Sequence, residues 1–257
     1  MLKKRIIGVI TVLGGRAVQS IGYNSYLPLG SVRILAENLD HWAADEILIQ
    51  CIDRTGNGLG PDFELIKDVS RMDLRTPIAY GGGIRSADDA IRVTNLGIER
   101  VVIDALVWTY PQGLYEFANT VGSQAVIAVF PMTKTNERRI EFHNYRTKEN
   151  NILSSEVTKL LDNRVISEVM IVDHRNEGGK ASFDFDLLDA FEGMSIPKIL
   201  FGGITTAEMV QTALEKDSVS AVGIGNSLNY TEHSVRHLKS AVSTSLIRPH
   251  HLQKQTA

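Results

Sequence analysis

Thr76-Pro77-Ile78-Ala79-Tyr80-Gly81-Gly82-Gly83-Ile84 and Ile196-Pro197-Lys198-Ile199-Leu200-Phe201-Gly202-Gly203-Ile204 are two copies of one pattern: a proline, a short apolar run, a glycine cluster and an isoleucine. Pro197 lies 120 residues after Pro77, and Asp173 lies 120 residues after Asp53. Asp62-Phe63-Glu64-Leu65-Ile66 returns as Asp184-Phe185-Asp186-Leu187-Leu188 at a spacing of 122, a change that one loop insertion absorbs. An open sheet has no reason to repeat itself at half its length. A barrel assembled from two duplicated halves does.

The chain around these copies alternates in the same rhythm. Short β-rich apolar runs occupy residues 5–10, 46–52, 77–80, 100–103, 125–130, 168–172, 198–201 and 221–224. Segments with helical period separate them at 32–43, 63–72, 87–96, 110–120, 156–161, 185–191, 207–214 and 232–242. Several of the strand runs are apolar at consecutive positions, as parallel strands buried on both faces must be. Ser86 ahead of Asp88 and Asp89, and Thr206 ahead of Glu208, read as helix starts with acids in the first turn. Eight strands and eight helices in strict alternation predict a closed α/β barrel, a (β/α)₈ TIM barrel with a two-fold half-barrel repeat; a doubly wound open sheet is the weaker option. The barrel spans 1–243, with halves near 1–122 and 123–243, and residues 244–257 read as a frayed tail. Residues 11–30 read as a long glycine-containing loop on the C-terminal face, where barrel loops carry function. The polar stretch 132–151 reads as a small hairpin, and its Arg138-Arg139 pair as solvated rather than as a nucleic-acid patch.

Composition narrows the function classes. The 257 residues suit one barrel domain, and 43% hydrophobic with 22% charged residues is an ordinary globular balance. A net charge of −3 gives no general attraction to nucleic acid or anionic membrane. Cys51 is the single cysteine, so an internal disulfide and a cysteine-rich zinc site are excluded. The apolar run after Lys4-Arg5 is too short to span a bilayer, and the expectation is a cytoplasmic protein. No metal and no cofactor are called for. His233 and His237 stand four apart on a helix but lack a third ligand, and read as an exposed face.

The clearest chemical signal is the glycines after the third and seventh strands, with Gly225-Asn226-Ser227 after the eighth. Glycine lets backbone N–H groups approach an oxyanion, and barrels often hold phosphate at the loops after strands seven and eight. Gly202, Gly203, Asn226 and Ser227 therefore form a candidate phosphate site, with Gly82 and Gly83 its symmetry-related counterpart. The plainer reading is that these glycines close tight turns.

Lys4-Arg5-Ile6-Ile7, Asp45-Glu46, Gly81-Gly82-Gly83-Ile84-Arg85-Ser86 and Gly122-Ser123-Gln124, on top of the half-barrel repeat, resemble the cyclase subunit of imidazole glycerol phosphate synthase (HisF) over essentially residues 1–243. The resemblance implies a lyase of histidine biosynthesis that binds a ligand with a phosphate at each end. It also implies a glutaminase (HisH-like) partner docked at the opposite face, which supplies ammonia. Matched to that family, Arg5, Glu46, Arg100 and Glu168 occupy the positions of a charged gate through which the ammonia enters, with Glu99 facing the glutaminase. Four alternating charges could equally do no more than neutralise the barrel floor.

The catalytic positions depart from the pattern. The family's two aspartates are matched by Thr11 and Phe130, and its first-loop lysine by Gln19. A threonine hydroxyl does not ionise near neutrality and phenylalanine carries no exchangeable proton. Asp104-Ala105 replaces a phosphate-binding pair, and a carboxylate there repels phosphate. Cys51, in place of a family aspartate, reads as a small buried filler rather than a nucleophile. Cys51, Asp173 and His174 are candidate pocket residues, while Asp53 either caps its loop or faces the pocket. The expectation is a HisF-like paralogue that channels ammonia elsewhere, with sugar amidation for surface polysaccharides the leading pathway. The alternatives are the histidine-pathway cyclase itself and a non-catalytic barrel that binds a phosphorylated ligand.

Overall fold

The computed structural model describes residues 3–163, 165–179 and 182–249. Eight parallel strands form the barrel: β1 (Arg5–Leu13), β2 (Glu46–Cys51), β3 (Ile78–Gly81), β4 (Arg100–Ile103), β5 (Val126–Lys134), β6 (Glu168–Asp173), β7 (Lys198–Phe201) and β8 (Val219–Ile224). Each pairs with the next in chain order, and β8 returns to β1 from Arg5↔Ala221 to Gly8↔Ile224. The sheet is closed, as the repeat predicts.

Side-chain alternation sorts each strand into two cores. Ile7 and Val9 of β1 face the barrel axis, while Ile6, Ile10 and Val12 face the helices. Leu48, Val102, Val129, Met170 and Phe201 join the axial core from other strands. Because both faces are buried, the strands read as unbroken apolar runs. Asp45 ties the layers together, accepting from Ile6 N at 2.8 Å and from Lys239 Nζ at 2.7 Å. The outer helices include Val32–His41, Ala87–Asn95, Ala207–Leu214 and Ser234–Ala241. Ser86 and Thr206 cap two of them as expected, accepting from Asp89 N and Met209 N. Phe185–Phe191 winds as a 3₁₀ run instead of an α-helix. Seven residues held between the Asp184 cap and Gly193, at φ +78°, are too few for α-helix nucleation to be favourable.

The segment expected as a loop over 11–30 is a hairpin. β1 runs on to Leu13, and Arg16–Ile21 pairs antiparallel with Ser25–Gly30. The hairpin is fastened at its far end. Ser20 Oγ donates to Glu177 Oε2 at 2.9 Å, Tyr23 N donates to the same oxygen at 3.1 Å, and Asn226 Nδ2 donates to Ser20 O at 2.6 Å. Gly178 makes this approach possible: at φ +63°, a Cβ there would stand 1.8 Å from Ser20 O. Gly178→Ala is expected to push the hairpin off its seat and to add about 1–2 kcal/mol of left-handed backbone strain. Limited proteolysis near Gly22 should speed up and the melting temperature should fall; unchanged values for both would contradict this packing.

The hairpin expected within 132–151 is present, β5 pairing antiparallel with Ile140–His143. The tail expected to fray from 244 is docked in its first part. Lys4 N donates to Leu246 O at 2.8 Å, Arg248 N donates to Lys4 O at 3.3 Å, and Ile247 is buried. An apolar residue able to enter the core outweighs the tendency of a terminus to fray. Residues 250–257 of that tail lie outside the described residues. No helix among the described residues is long and apolar enough to cross a membrane.

Candidate functional site

The two ends of the barrel have opposite characters. At the N-terminal end, the first inward residues of β1, β2, β4 and β6 are Arg5, Glu46, Arg100 and Glu168, and they close a ring. Arg5 donates to Glu46 at 3.0 Å and to Glu168 at 2.7 Å. Arg100 reaches Glu46 at 3.3 Å and Glu168 at 2.7 Å, completing the cycle. Arg100 also donates to Ser167 Oγ at 2.6 Å, and the Ser220 hydroxyl donates to Glu168. Burial opposes the charge of Glu168, but Arg5 and Arg100, with hydrogen bonds from Ser220 and Arg5, hold its carboxyl below the ordinary value. A depression of about 730 Å³ opens onto this ring from outside, lined among others by Lys3, Arg100, Gln124, Ser220 and Arg248. The four residues matched to a gate are thus together at one opening. Glu99 lies at the same end, exposed, with Oε2 accepting from Ile78 N at 2.7 Å.

Above the ring the axis is apolar, and at the C-terminal mouth the inward positions are Thr11, Gln50, Gly81 and Pro131. Here the strand-five expectation needs correction. Phe130 faces outward: it pairs with Ile171 and packs on Trp108, Phe142 and Phe191, with ring centroids 5.5, 5.7 and 5.2 Å away. The residue facing the axis at that level is Pro131, which pairs with inward-facing Val172. Proline carries no acid either, so the strand-five position facing the mouth still lacks a carboxylate. Sequence could not reveal the facing, because Val126–Phe130 is buried on both sides and shows no alternation.

Aromatic rings close the mouth. Tyr23, from the hairpin turn, stacks on His174 at 5.5 Å and meets Tyr145 edge-on at 5.7 Å, and His143 lies 4.9 Å from His174. Burial, with His143 and Lys148 nearby, pushes the His174 imidazole down to about 4, so it is neutral near pH 7. Burial raises the Glu177 carboxyl above its ordinary value, against the hydrogen bonds from Ser20 and Tyr23. Tyr23, Tyr145, His143 and Glu177 were not singled out from the sequence; they sit in segments without regular period, where nothing signals that they converge.

The glycine sites part company. Gly202, Gly203, Asn226 and Ser227 line one groove of about 670 Å³ with Gly178, Gly179 and Tyr230. Gly202 is obligatory as a turn residue too, since at φ +99° a Cβ would stand 2.7 Å from Asp173 O. Gly82 instead lines a separate cavity with Asp104, and the Gly83 N–H is taken by Thr55 Oγ1 at 3.0 Å. The two glycine pairs thus have different surroundings, Gly82 of the first lining the mouth cavity and the second lining its own groove.

Asp173 does not face a pocket. It is buried, and its carboxylate accepts from Asn176 N, Asn176 Nδ2 and Asp184 N at 3.1, 2.8 and 2.9 Å, organising the loop after β6. A short carboxylate beside three local donors is held by its own loop. Asp53 caps similarly, accepting from Gly14 N at 3.0 Å. Cys51 packs into the helix-side core and also lines the mouth cavity with Gln50 and Asp104, and burial pushes its thiol up to about 12 against a hydrogen bond with Tyr80. Gln19 is buried on the hairpin, and His233 and His237 are exposed.

Comparison with known proteins agrees with this architecture. A family model described as "Histidine biosynthesis protein" matches residues 5–234. The chain is similar to "Imidazole glycerol phosphate synthase subunit HisF" of Natranaerobius thermophilus, 28% identical over 95% of this chain and 97% of that protein. It is similar to the "Putative imidazole glycerol phosphate synthase subunit HisF" of Leptospira interrogans, 27% identical over 90% of this chain and 91% of that one. A "Putative imidazole glycerol phosphate synthase subunit hisF2" of Vibrio vulnificus is 25% identical, covering 91% and 86%. With a closed eightfold barrel, a ring of four charges at its base and a family match across nearly the whole barrel, the chain belongs to the histidine biosynthesis protein family and is HisF-like.

Proposed function

We propose that this chain is the barrel subunit of a glutamine amidotransferase pair. It takes ammonia from a HisH-like glutaminase at its N-terminal face and passes it to an acceptor outside the histidine-pathway cyclisation, sugar amidation for surface polysaccharides being the leading case. The observation that carries this reading is the closed Arg5–Glu46–Arg100–Glu168 ring at one end of an axis whose other end offers Thr11 and Pro131 in place of an acid–base pair. The ring carboxylates accept N–H donors at the entrance, and the apolar core above it admits neutral ammonia far more readily than ions. The relatives, named as synthase subunits, support a partnered barrel.

Mixing the chain with a HisH-like glutaminase should give a stable complex on size exclusion. Glu46→Lys should cut delivery of glutamine-derived ammonia at least severalfold without abolishing the complex. Failure to bind any such glutaminase, or delivery indifferent to Glu46→Lys, would sink the reading. The histidine-pathway cyclase remains the second reading, favoured by the relatives' names; it requires turnover of the phosphoribosyl substrate despite Thr11 and Pro131. The groove at Gly202, Gly203, Asn226 and Ser227 supports a phosphorylated ligand under either reading, or under a third in which the barrel only binds it and needs no glutaminase.

A further inference from the structure

We propose that Gln50 and Asp104, separated by the side-chain gap at Gly81, form a pocket at the barrel mouth for a compact ammonium-type N–H donor. The pocket goes beyond the conduit reading and draws on it only for the source of the ammonia.

The pocket follows from strand register. Gln50 pairs with Gly81, and Gly81 pairs with Val102, two residues before Asp104. Leu48 and Val102 face the axis, so Gln50 and Asp104 stand one step above them on the same side, at the top of the apolar core. Between the two, Gly81 contributes no side chain; a Cβ there would already stand 3.0 Å from Val102 Cβ. The space left is a cavity of about 100 Å³ lined by both polar residues, with Val102 and Val129 among its apolar walls and Tyr23 and Tyr145 among its aromatic ones. That is room for several waters, or for one small group of a few heavy atoms.

Acceptors dominate its chemistry, although the lining also holds the buried Tyr145 hydroxyl, which has no hydrogen-bond partner among the described residues. Gln50 is only 9% exposed. Its Nε2 approaches the Tyr23 hydroxyl at 3.5 Å, while its buried Oε1 meets no hydrogen-bond donor among the described residues. A buried acceptor without a donor carries a desolvation cost that a bound N–H group would recover. Asp104 accepts from Ala105 N at 2.5 Å, and no ion pair is formed to it among the described residues. Burial raises its carboxyl above the ordinary value, against hydrogen bonds from Ala105 and Thr55, and a positive guest is what would favour its charged form. Lys148 is the basic residue of the lining; it is exposed, near Gly56. An unsatisfied amide oxygen and a carboxyl without an ion pair, over an apolar floor, favour a small donor over a phosphate.

The test uses the full chain alone, labelled with ¹³C at aspartate carboxyls. Ammonium chloride, methylammonium chloride, potassium chloride and tetramethylammonium chloride are titrated at matched ionic strength. A saturable shift of the Asp104 carboxyl resonance is expected with ammonium and methylammonium, and not with the ions that lack N–H groups. The tighter of the two binders tells free ammonia from the amino end of a larger ligand, and either order upholds the assignment. Gln50→Leu should weaken the effect about tenfold, the size of one charge-assisted hydrogen bond; Gln50→Met serves if the leucine variant does not fold. Equal shifts with potassium, no saturable shift with ammonium, indifference to the Gln50 variant, or binding of formate in place of ammonium would each overturn the proposal. Because no glutaminase is present, failure here leaves the conduit reading standing, and failure of glutaminase docking leaves this pocket standing.

Discussion

Glu168→Ala is expected to destabilise the protein by about 3–5 kcal/mol, a fall in melting temperature of roughly 10 °C for a domain of this size. Glu168 receives both arginines of the ring and the Ser220 hydroxyl, and its side chain is only 9% exposed. Removing it leaves Arg5 and Arg100 facing each other across a largely buried opening with one carboxylate between them. The same residue sets an acid limit. Its folded-state carboxyl lies below the ordinary value, so its contribution is complete above the unfolded value near 4.5 and is lost as pH falls through the lower folded one. Thermal unfolding of wild type and Glu168→Ala should therefore converge as pH drops below that range. Parallel curves down to the lowest pH would contradict the ring geometry.

Stability alone does not explain the ring. Replacing a buried ion network by well-packed apolar groups is often neutral or stabilising. A fourfold variant with Met at 5 and 100 and Leu at 46 and 168 should thus melt no lower than wild type, yet block ammonia delivery from the glutaminase. That separation distinguishes a conduit from a neutralised floor.

The second large effect concerns strand five. Phe130→Asp should yield no folded protein, or one weakened by more than about 5 kcal/mol, because the carboxylate would lie among Trp108, Phe142 and Phe191 with no partner. Pro131→Asp should fold, since that position faces the mouth alongside Thr11 and Gln50. Circular dichroism and thermal melts decide between them. Equal stability of the two variants would mean that strand five is out of register by one residue.

Much of this was legible in the sequence, for physical reasons that also mark where legibility stops. The barrel shows itself because each half must be built alike to close, and β4 and β7 fall at the predicted residues. The floor ring shows itself through the family resemblance, which matches Arg5, Glu46, Arg100 and Glu168 to a gate; their spacing in the chain alone does not bring them together. The hairpin over 16–30 was hidden by its glycines and Pro28, which read as loop, although an edge strand tolerates them. Phe130 misled because a strand buried on both faces carries no parity signal. Gln50 passed unremarked as one amide at a strand end; only the register beside Gly81 turns it into the wall of a cavity.

On the function proposed above, the floor of the barrel is kept while its mouth no longer closes an imidazole ring. The direct test is an ammonium-driven cyclase assay on the purified chain, with the histidine-pathway phosphoribosyl substrate and a functional HisF alongside as control. Turnover is expected of the control and not of this chain. Clear turnover by this chain would contradict that function, and would place the acid–base chemistry on groups other than those at positions 11 and 131.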